Sequence, residues 1–419
     1  MAQPSDPVLG VKLATLKTIF RPSSPVDDRE LFRGRRGELA RVISAVQELG
    51  QHAVIFGDRG VGKTSLAYMA KDSFRSASPD ASLAVRIPCS ADDNFASIWK
   101  KFIPRVVAEL DLLPEEMRES IQPLVDRSED ILDFDELGPE SVGRALHVLA
   151  NAVPLLVVLD EFDRIGDIGS AQLFSDLVKT ISDDLVRCTL LIVGVADNVD
   201  DLIANHRSVE RAIRQISMPR MSPEELREVV VGGFATFATR SGVEIRLAER
   251  VVNAIVHLSQ GLPYYAHLLA GSIGEIALID GVQDVDFMIL PRALSRALDE
   301  AQQSIRSQYT EAVSSARQNA QFPMTLLACA LTRVDDVGYF APADVRTPLA
   351  ELTGTYRDTS YFLHHLRRFA DEPSWILDTK GEGRRVRYRF SNPLMRPFVL
   401  MKGFRDGYLD PQTGSPKTR

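Results

Sequence analysis

Short apolar runs alternate with helix-like segments in the first half of the chain. The runs His52–Phe56, Ser82–Ile87, Pro154–Leu159 and Thr189–Val195 each predict a buried strand, because their apolar residues are nearly continuous. Apolar residues at helical spacing precede the first run, in Glu38–Leu49. Buried strands that alternate with helices indicate an α/β fold, with a parallel sheet covered by helices on both faces.

The pattern changes to helices alone after Ser222. Ser222 and Glu225 have the spacing of a capping box, which predicts the start of a helix over Leu226–Phe237. Further helical spacing follows in Leu247–Leu258 and Tyr264–Ile279. These segments predict an α-helical lid domain.

The last part of the chain has a different pattern. Helices are predicted over Met324–Leu331, Ala343–Leu352 and Asp358–Arg368. Apolar runs at Trp375–Leu377 and Val386–Phe390 then flank a glycine-containing turn, which indicates a β-hairpin. Three helices followed by a hairpin are typical of a winged-helix domain.

Composition and charge agree with a multidomain globular protein. The chain has 419 residues, which exceeds the roughly 250 to 300 residues of a single hydrophobic core. Its net charge is -8, but residues 341–419 contain 14 Lys and Arg against 9 Asp and Glu. The C-terminal region therefore has a basic balance of +5 within an acidic chain, and nucleic acid is a candidate partner there.

Cysteine spacing and hydropathy further restrict the class of protein. Cys89, Cys188 and Cys329 are widely separated, and they have neither a disulfide framework nor the spacing of metal ligands. No run approaches the roughly 18 apolar residues of a membrane span, and the N-terminus has no export signal. We expect a cytoplasmic protein without a membrane partner.

A glycine-rich loop follows the first predicted strand. Gly57–Thr64 matches G-x-x-x-x-G-K-[ST] at every position, between a predicted strand and a predicted helix. Its backbone N–H groups can surround a β-phosphate, Lys63 can reach the β- and γ-phosphates, and the Thr64 hydroxyl can bind Mg²⁺. We predict ATP and Mg²⁺ as cofactors. The nucleotide-binding residues are Gly57, Asp58, Arg59, Gly60, Val61, Gly62, Lys63, Thr64 and Ser65.

Two adjacent carboxylates end the third predicted strand. Asp160 and Glu161 follow an apolar run, at the strand end where open parallel sheets bind ligands. Asp160 can hold Mg²⁺, and Glu161 can orient and deprotonate the attacking water. The alternative is that these acids only cap a helix.

Polar groups after the fourth strand are further catalytic candidates. Asp197, with Asn198 as second choice, can sense the γ-phosphate or the water, although both residue types also favour turns and caps. Arg207, Arg211 and Arg214 follow on a predicted helix. Any of them can complete the site of a neighbouring subunit, or belong to a solvated basic face.

With these residues in view, the chain resembles AAA+ ATPases of the origin-recognition type and related STAND-class ATPases over nearly its full length. Gly57–Thr64 is similar to the Walker A loop and Leu156–Glu161 to the Walker B strand. Leu31–Arg35 resembles the adenine-side box, and Gly194–Asp197 resembles the sensor-1 strand end. The resemblance implies that Arg211 is an arginine finger, and that the chain forms a homo-oligomer.

Two positions depart from the origin-recognition pattern. Asp197 stands where that group usually has asparagine. Gly261–Pro263 resembles the G-x-P motif of STAND proteins instead of a sensor-2 arginine, which implies that Pro263 packs near the adenine. The alternative interpretation is a turn that opens a helix.

The C-terminal cations suggest a partner. His364, Arg367 and Arg368 lie on the third helix of the tail and Arg357 just before it; the hairpin adds Lys380, Arg384, Arg385, Arg387 and Arg389. Charges on one face suit phosphate contacts along double-stranded DNA. We therefore predict an ATP-hydrolysing regulator whose nucleotide state gates assembly and DNA binding. A STAND-like signalling switch with a protein-binding tail and a transposition-associated ATPase are the alternatives.

These patterns and the resemblance predict six parts of the chain. They are an N-terminal arm (1–30), a P-loop ATPase domain (31–221), a helical lid (222–305), a linker (306–321), a winged helix (322–405) and a flexible tail (406–419).

Overall fold

The computed structural model describes residues 7–77, 82–133, 136–203, 209–314, 321–335, 337–410 and 414–417, apart from the side chains of Ile168 and Arg384. The chain divides into two compact units, and the ATPase-like unit is Pro25–Pro219. The second unit is Met1–Ser24 together with Arg220–Arg419.

Helices and strands alternate in the ATPase-like unit, and one helix precedes it in the chain. In chain order they are α1 (Pro7–Ile19), α2 (Arg36–Gln47), β1 (His52–Gly57), α3 (Lys63–Ala77), β2 (Leu83–Pro88), α4 (Phe95–Lys100), α5 (Phe102–Leu110), α6 (Glu115–Leu132), α7 (Pro139–Ala150), β3 (Leu155–Asp160), α8 (Ile168–Asp183), β4 (Cys188–Val195) and β5 (Ile213–Ser217).

The second unit is mostly helical. Its further elements are α9 (Pro223–Ser241), β6 (Arg246–Leu247), α10 (Glu249–Ser259), α11 (Pro263–Asp280), β7 (Asp284–Val285), α12 (Leu290–Glu300), α13 (Gln303–Val313), α14 (Phe322–Leu331), α15 (Arg346–Thr353), α16 (Thr359–Ala370), β8 (Leu377–Lys380), β9 (Arg387–Phe390) and α17 (Met395–Arg405).

The five strands of the ATPase-like unit form one parallel sheet in the order β2-β3-β4-β1-β5. All residues of β3 are buried, as are the first seven of the eight residues of β4. This confirms the α/β class and the four predicted strands, because continuous apolar runs suit strands with helices on both faces.

The edge strand β5 differs from the sequence prediction. The segment that carries Arg211 and Arg214 was predicted as a helix, but Arg211 lies in a short 3₁₀ turn and Arg214 lies in β5. Ile213 and Ile216 are buried there, and His52 of β1 pairs with Ile213. Pairing with a strand about 160 residues earlier overrides the local helical spacing.

The helix predicted over Phe95–Leu110 is divided in two. α4 ends at Lys100, and α5 begins at Phe102. Pro104 lies in the first turn of α5, where its missing N–H is tolerated, but it could not continue a helix from α4. The pair α6 and α7 then packs together before the chain enters β3.

The three predicted lid helices correspond to α9, α10 and α11. The Ser222 Oγ accepts the Glu225 N–H at 3.2 Å, and the Glu225 carboxylate accepts the Ser222 N–H at 2.9 Å. This capping box confirms the predicted start of α9.

Three predicted connecting segments contain ordered structure. The arm forms α1. Its Leu16 packs into the space left by Gly274, and Phe20, just after the helix, packs into the space left by Gly233. The predicted linker includes most of α13, while residues 315–320 lie outside the described residues. In the predicted tail, Leu409 is fully buried. Burial of apolar side chains explains why these segments are not extended connections.

The described C-terminal elements agree with the predicted order of three helices and a hairpin. β8 and β9 are antiparallel, with Leu377 opposite Phe390 and Lys380 opposite Arg387. α16 corresponds to the predicted third helix. The assignment of these elements to a winged-helix domain, like the division of the second unit into a lid and further parts, stays a prediction.

Within the described ranges, no helix combines the length and the apolar composition that a membrane crossing requires.

Candidate functional site

The glycine-rich loop turns sharply between β1 and α3. Gly57 has a φ of 144° and Gly60 has a φ of 85°, a region that favours glycine. A Cβ on Gly57 would lie 2.4 Å from the Met218 carbonyl oxygen, so a side chain cannot be accommodated without movement of the backbone. The loop thus needs glycine for both its conformation and its packing.

Contacts with neighbouring segments hold this loop. The Arg35 guanidinium is 1% exposed; it donates to the Val61 carbonyl at 3.4 Å and also to the Pro219 carbonyl. The Val26 N–H donates to the Ser65 Oγ at 3.0 Å. Arg35 has a φ of 56°. The segment predicted as an adenine-side box therefore supports the loop through its last residue.

Lys63 is the first residue of α3, and its side chain folds over the loop. Its Nζ donates to the carbonyl oxygens of Gly57 at 2.9 Å and Asp58 at 2.7 Å. Burial lowers its pKa to about 8, against the opposing effect of nearby carboxylates, of which Asp163 is the largest. Lys63 thus contacts the phosphate loop. It lies between Gly62 and Thr64 at the start of the helix.

Thr64 and Asp160 meet at the end of the sheet. The Thr64 Oγ1 donates to the Asp160 Oδ1 at 3.2 Å, and the same oxygen accepts the Glu161 N–H at 3.0 Å. Asp160 is 1% exposed. A hydroxyl and a buried carboxylate at the start of a helix form a donor set that suits Mg²⁺ next to a phosphate. The structure therefore brings the two predicted metal ligands together.

Glu161 turns away from this pair. Its φ is 57°, and its carboxylate accepts from the Arg164 guanidinium at 2.7 Å, with both side chains about half exposed. It is therefore accessible to solvent beside Asp160.

Asp163 is a site residue that the sequence analysis missed. Its Oδ1 accepts the Val195 N–H at 2.7 Å, which ties the turn after β3 to the end of β4. Its negative charge also acts on Lys63. The signal for Asp163 in the sequence was its position three residues after Asp160. This position places Asp160 and Asp163 on the same turn, near the strand ends.

Arg86 was also missed. Its Nε and Nη2 donate to the Asp160 Oδ2 at 3.0 and 2.6 Å. An arginine within an apolar strand was the only signal for it, and the sequence does not show which carboxylate it faces.

The predicted catalytic candidates after β4 differ in their exposure and in their partners. Asp197 is exposed, and the Asn198 side chain caps a 3₁₀ turn by accepting the Asp201 N–H at 3.1 Å. Arg211 is 83% exposed and pairs with Asp183 at 2.7 Å, while Arg207 lies outside the described residues. The Arg211 guanidinium therefore pairs with Asp183, whereas Thr64 and Asp160 are joined by a direct hydrogen bond beside the phosphate loop.

Pro263 lies in the second unit, at the first turn of α11. Gly261 has a φ of 80°, and its carbonyl accepts the Met221 N–H at 2.8 Å. The motif thus opens a helix, as its alternative interpretation predicted, and its role toward the nucleotide stays a prediction.

The cations of the C-terminal region are used in two ways. Arg387 pairs with Asp335 at 2.9 Å, Arg389 stacks on the Tyr339 ring at 4.9 Å, and Arg368 stacks on the Phe322 ring at 4.4 Å. These three cations support the local fold as well as adding charge. Others are exposed on α16 and the hairpin: His364, Arg367, Lys380 and Arg385.

Comparison with known families now adds to this geometry. The sequence matches the family model described as novel STAND NTPase 1 over residues 25–368. The matched range includes the phosphate loop, Asp160, the helices α9, α10 and α11, and all but the last two residues of α16. No curated protein matches the sequence.

Two solved structures resemble the chain. The Walker-type ATPase paby2304 of Pyrococcus abyssi is 17% identical, with a TM-score of 0.52, over 91% of this chain and 99% of that one. The Aeropyrum pernix ORC2 protein is also 17% identical, with a TM-score of 0.49, over 93% of this chain and 98% of that one. At this identity the Pyrococcus comparison shows a shared fold, which agrees with the five-stranded parallel sheet and its glycine-rich loop.

Proposed function

This chain belongs to the novel STAND NTPase 1 family, and we propose that it binds ATP with Mg²⁺ at Gly57–Ser65 and hydrolyses it slowly. The observation that carries this proposal is the 3.2 Å contact between Thr64 and Asp160, which are 96 residues apart in sequence. It joins the helix start after a phosphate loop to a buried carboxylate, as nucleotide hydrolysis requires.

Each residue of the loop has a defined role in this proposal. The N–H groups at the start of α3 have no earlier helical partner, so they can donate to phosphate oxygens. Lys63 exchanges its contacts with Gly57 and Asp58 for the β- and γ-phosphates. Thr64 and Asp160 hold Mg²⁺, which when bound neutralises charge on the phosphates.

Glu161 is the proposed base for the attacking water. It leaves the half-exposed pair with Arg164, because an exposed ion pair of this kind is screened by water and salt and is easily broken. Asp197 is the proposed sensor of the γ-phosphate. Arg211, at 83% exposure, is available to a neighbouring copy, which supports its proposed role as a finger in a homo-oligomer. Pro263 is proposed to couple lid position to the adenine.

Lys63→Ala tests nucleotide binding most directly. We expect it to lose affinity for ATP in equilibrium binding, because the buried ammonium that contacts the phosphates is removed. Arg105→Ala is a control of equal charge change outside the loop, since Arg105 is exposed on α5. Equal affinity in wild type and Lys63→Ala would exclude the assigned site.

We further propose that α14, α15, α16 and the β8–β9 hairpin form a winged helix that binds double-stranded DNA under control of the bound nucleotide. Exposed Arg367 on α16 and exposed Arg385 beside the hairpin support this partner. Trp375, which is 58% exposed between these elements, favours the rival proposal of a protein-binding tail in a signalling switch.

Duplex binding at two salt concentrations, with ADP or a non-hydrolysable ATP analogue, separates these proposals. Salt-sensitive binding that depends on the nucleotide supports the DNA-binding regulator, and it is also expected of a transposition-associated ATPase. Without duplex binding in any nucleotide state, the signalling switch is the better proposal.

A further inference from the structure

Arg86 occupies an unusual place next to the proposed metal ligands. It lies on β2, where Arg86 is opposite Val158 and Pro88 is opposite Asp160 on the neighbouring strand. From there the guanidinium makes two hydrogen bonds to one oxygen of Asp160, at 3.0 and 2.6 Å. The aspartate therefore has a cation partner supplied by the protein itself.

The guanidinium is supported on its other side by Tyr68. The Arg86 Cζ lies 5.3 Å from the centre of the Tyr68 ring, and Tyr68 lies one helical turn after Thr64 on α3. The side chain of Arg86 is 27% exposed, so its position depends on these contacts rather than on complete burial. The same short stretch of α3 thus contributes both Thr64 and the ring on which Arg86 rests.

The two oxygens of Asp160 have different partners. Oδ1 accepts from the Thr64 hydroxyl and the Glu161 N–H, whereas Oδ2 accepts two hydrogen bonds from the Arg86 guanidinium. At 1% exposure, the charge of Asp160 requires a nearby cation. Arg86 supplies that cation beside the position proposed for Mg²⁺.

We infer that Arg86 is a positioning residue that acts as a resident countercharge for Asp160, and that it makes nucleotide binding less dependent on Mg²⁺. The inference rests on the proposed nucleotide site. Arg86 holds the carboxylate in place when the metal is absent, and it reduces the negative charge available to the metal when Mg²⁺ binds. The ion therefore adds less to nucleotide affinity than it would with Asp160 unpaired.

The test compares affinity for a fluorescent ADP analogue in excess Mg²⁺ with its affinity in EDTA. The ratio of the two affinities is the measured quantity, so a general loss of binding cancels. In Arg86→Gln we expect this ratio to rise about tenfold over wild type, because one positive charge beside the metal is removed. Arg86→Lys keeps the charge, and its ratio is expected to stay nearer to that of wild type.

Arg105→Gln is the matched control for net charge. Arg105 is exposed on α5, and its charge, like that of Arg86, acts on Lys71. The hydrogen bonds to the Asp160 carboxylate come from Thr64, Glu161 and Arg86. The ratio of the Mg²⁺ and EDTA affinities in Arg105→Gln is therefore expected to equal that of wild type. A similar rise in Arg105→Gln would attribute the effect to net charge and overturn the inference.

Tyr68→Leu tests the same inference without removing a charge. Loss of the ring loosens the guanidinium, and we expect the ratio to rise about twofold to threefold, less than in Arg86→Gln because the charge itself remains. This variant decides the matter if Arg86→Gln does not fold, as circular dichroism would reveal.

Failure of the inference is distinct from failure of the proposed function. If wild type binds the analogue but the ratio is unchanged or lower in Arg86→Gln, Arg86 is not a countercharge that competes with Mg²⁺. If wild type binds it neither with Mg²⁺ nor in EDTA, the nucleotide site itself is wrong.

Discussion

The phosphate-loop site and the C-terminal helix–hairpin region, residues 359–390, use charge in opposite ways. At the loop, Lys63 and Asp160 are buried, and each is held by several short hydrogen bonds. In the C-terminal region, Arg367 and Arg385 are exposed to solvent. Buried charges interact strongly at fixed positions, whereas exposed charges are screened by salt and attract many partners.

The two regions therefore differ in how well they tolerate substitution of their charged residues. A buried charge that loses its partner is strongly destabilising, while an exposed cation contributes little to the fold. We therefore expect large, position-specific effects at the loop and smaller, additive, salt-dependent effects at the C-terminal surface. Four predictions, in order of decreasing effect, examine this difference.

Replacement of Glu161 tests the chemistry at the loop. Glu161→Gln should lower the turnover number by on the order of 100-fold to 10,000-fold, because the amide cannot accept the proton of the attacking water. ATP affinity should change little, since Glu161 lies outside the loop and its partner is Arg164. Single-turnover hydrolysis and equilibrium binding measure the two effects. Arg164→Gln, the other half of the pair, is the control, and full activity in Glu161→Gln would assign the base to another residue.

Two glycines at positive φ test the tolerance of the backbone. Gly57→Ala should lower the free energy of unfolding by about 2 to 4 kcal/mol, because the new Cβ lies 2.4 Å from the Met218 carbonyl. Gly383, beside the hairpin, has a φ of 58° with nothing within 4 Å of the added Cβ, so Gly383→Ala should cost only about 1 kcal/mol. Denaturant unfolding measures both. Equal losses would mean that backbone conformation matters more than packing.

Removal of two exposed cations tests the C-terminal surface. Arg367→Ala with Arg385→Ala should weaken duplex DNA binding about tenfold at moderate salt and should reduce the slope of log affinity against log salt by about 2. Unfolding should be nearly unchanged, because both side chains are exposed. Arg240→Ala with Arg250→Ala provides a control of equal charge change, because both residues are exposed and lie on α9 and α10, outside the proposed winged helix. An equal loss in the control pair would show that only net charge matters.

A pH dependence arises from Lys63; it is confined to alkaline pH, so it is the smallest effect near neutral pH. Its pKa in the folded protein is about 8, below the ordinary value of 10.5. Between these values the unfolded chain binds more protons than the folded one, so stability should rise with pH from about 8 to 10.5. Relative to Lys63→Met, wild type should gain at most about 3 kcal/mol over this range, at 1.36 kcal/mol for each unit between the two pKa values. Urea unfolding at several pH values measures the difference; a flat or falling difference would place the Lys63 pKa at or above its ordinary value.

Much of the site could be predicted from local patterns. Gly57–Thr64 combines a motif with the strand and helix on either side, and Asp160 follows a continuous apolar run. Such features depend on neighbours within a few residues, so a single sequence contains them. The capping box at Ser222 could be predicted for the same reason.

Other parts could not be predicted from local patterns. β5 exists because it pairs with β1, although Arg207, Arg211 and Arg214 have a helix-like spacing through this segment of the sequence. Arg86 and Asp163 became site residues only through their partners Asp160 and Val195.

The sequence by itself determined that this chain has a phosphate loop, a carboxylate at the end of a buried strand, and a basic C-terminal region. Only the tertiary structure decided that Arg86, 74 residues before Asp160, is the cation beside that carboxylate. The physical reason is that apolar runs specify strands but do not specify their order or register. The order β2-β3-β4 makes these strands neighbours, so that Arg86 and Asp160 lie close to the end of β4.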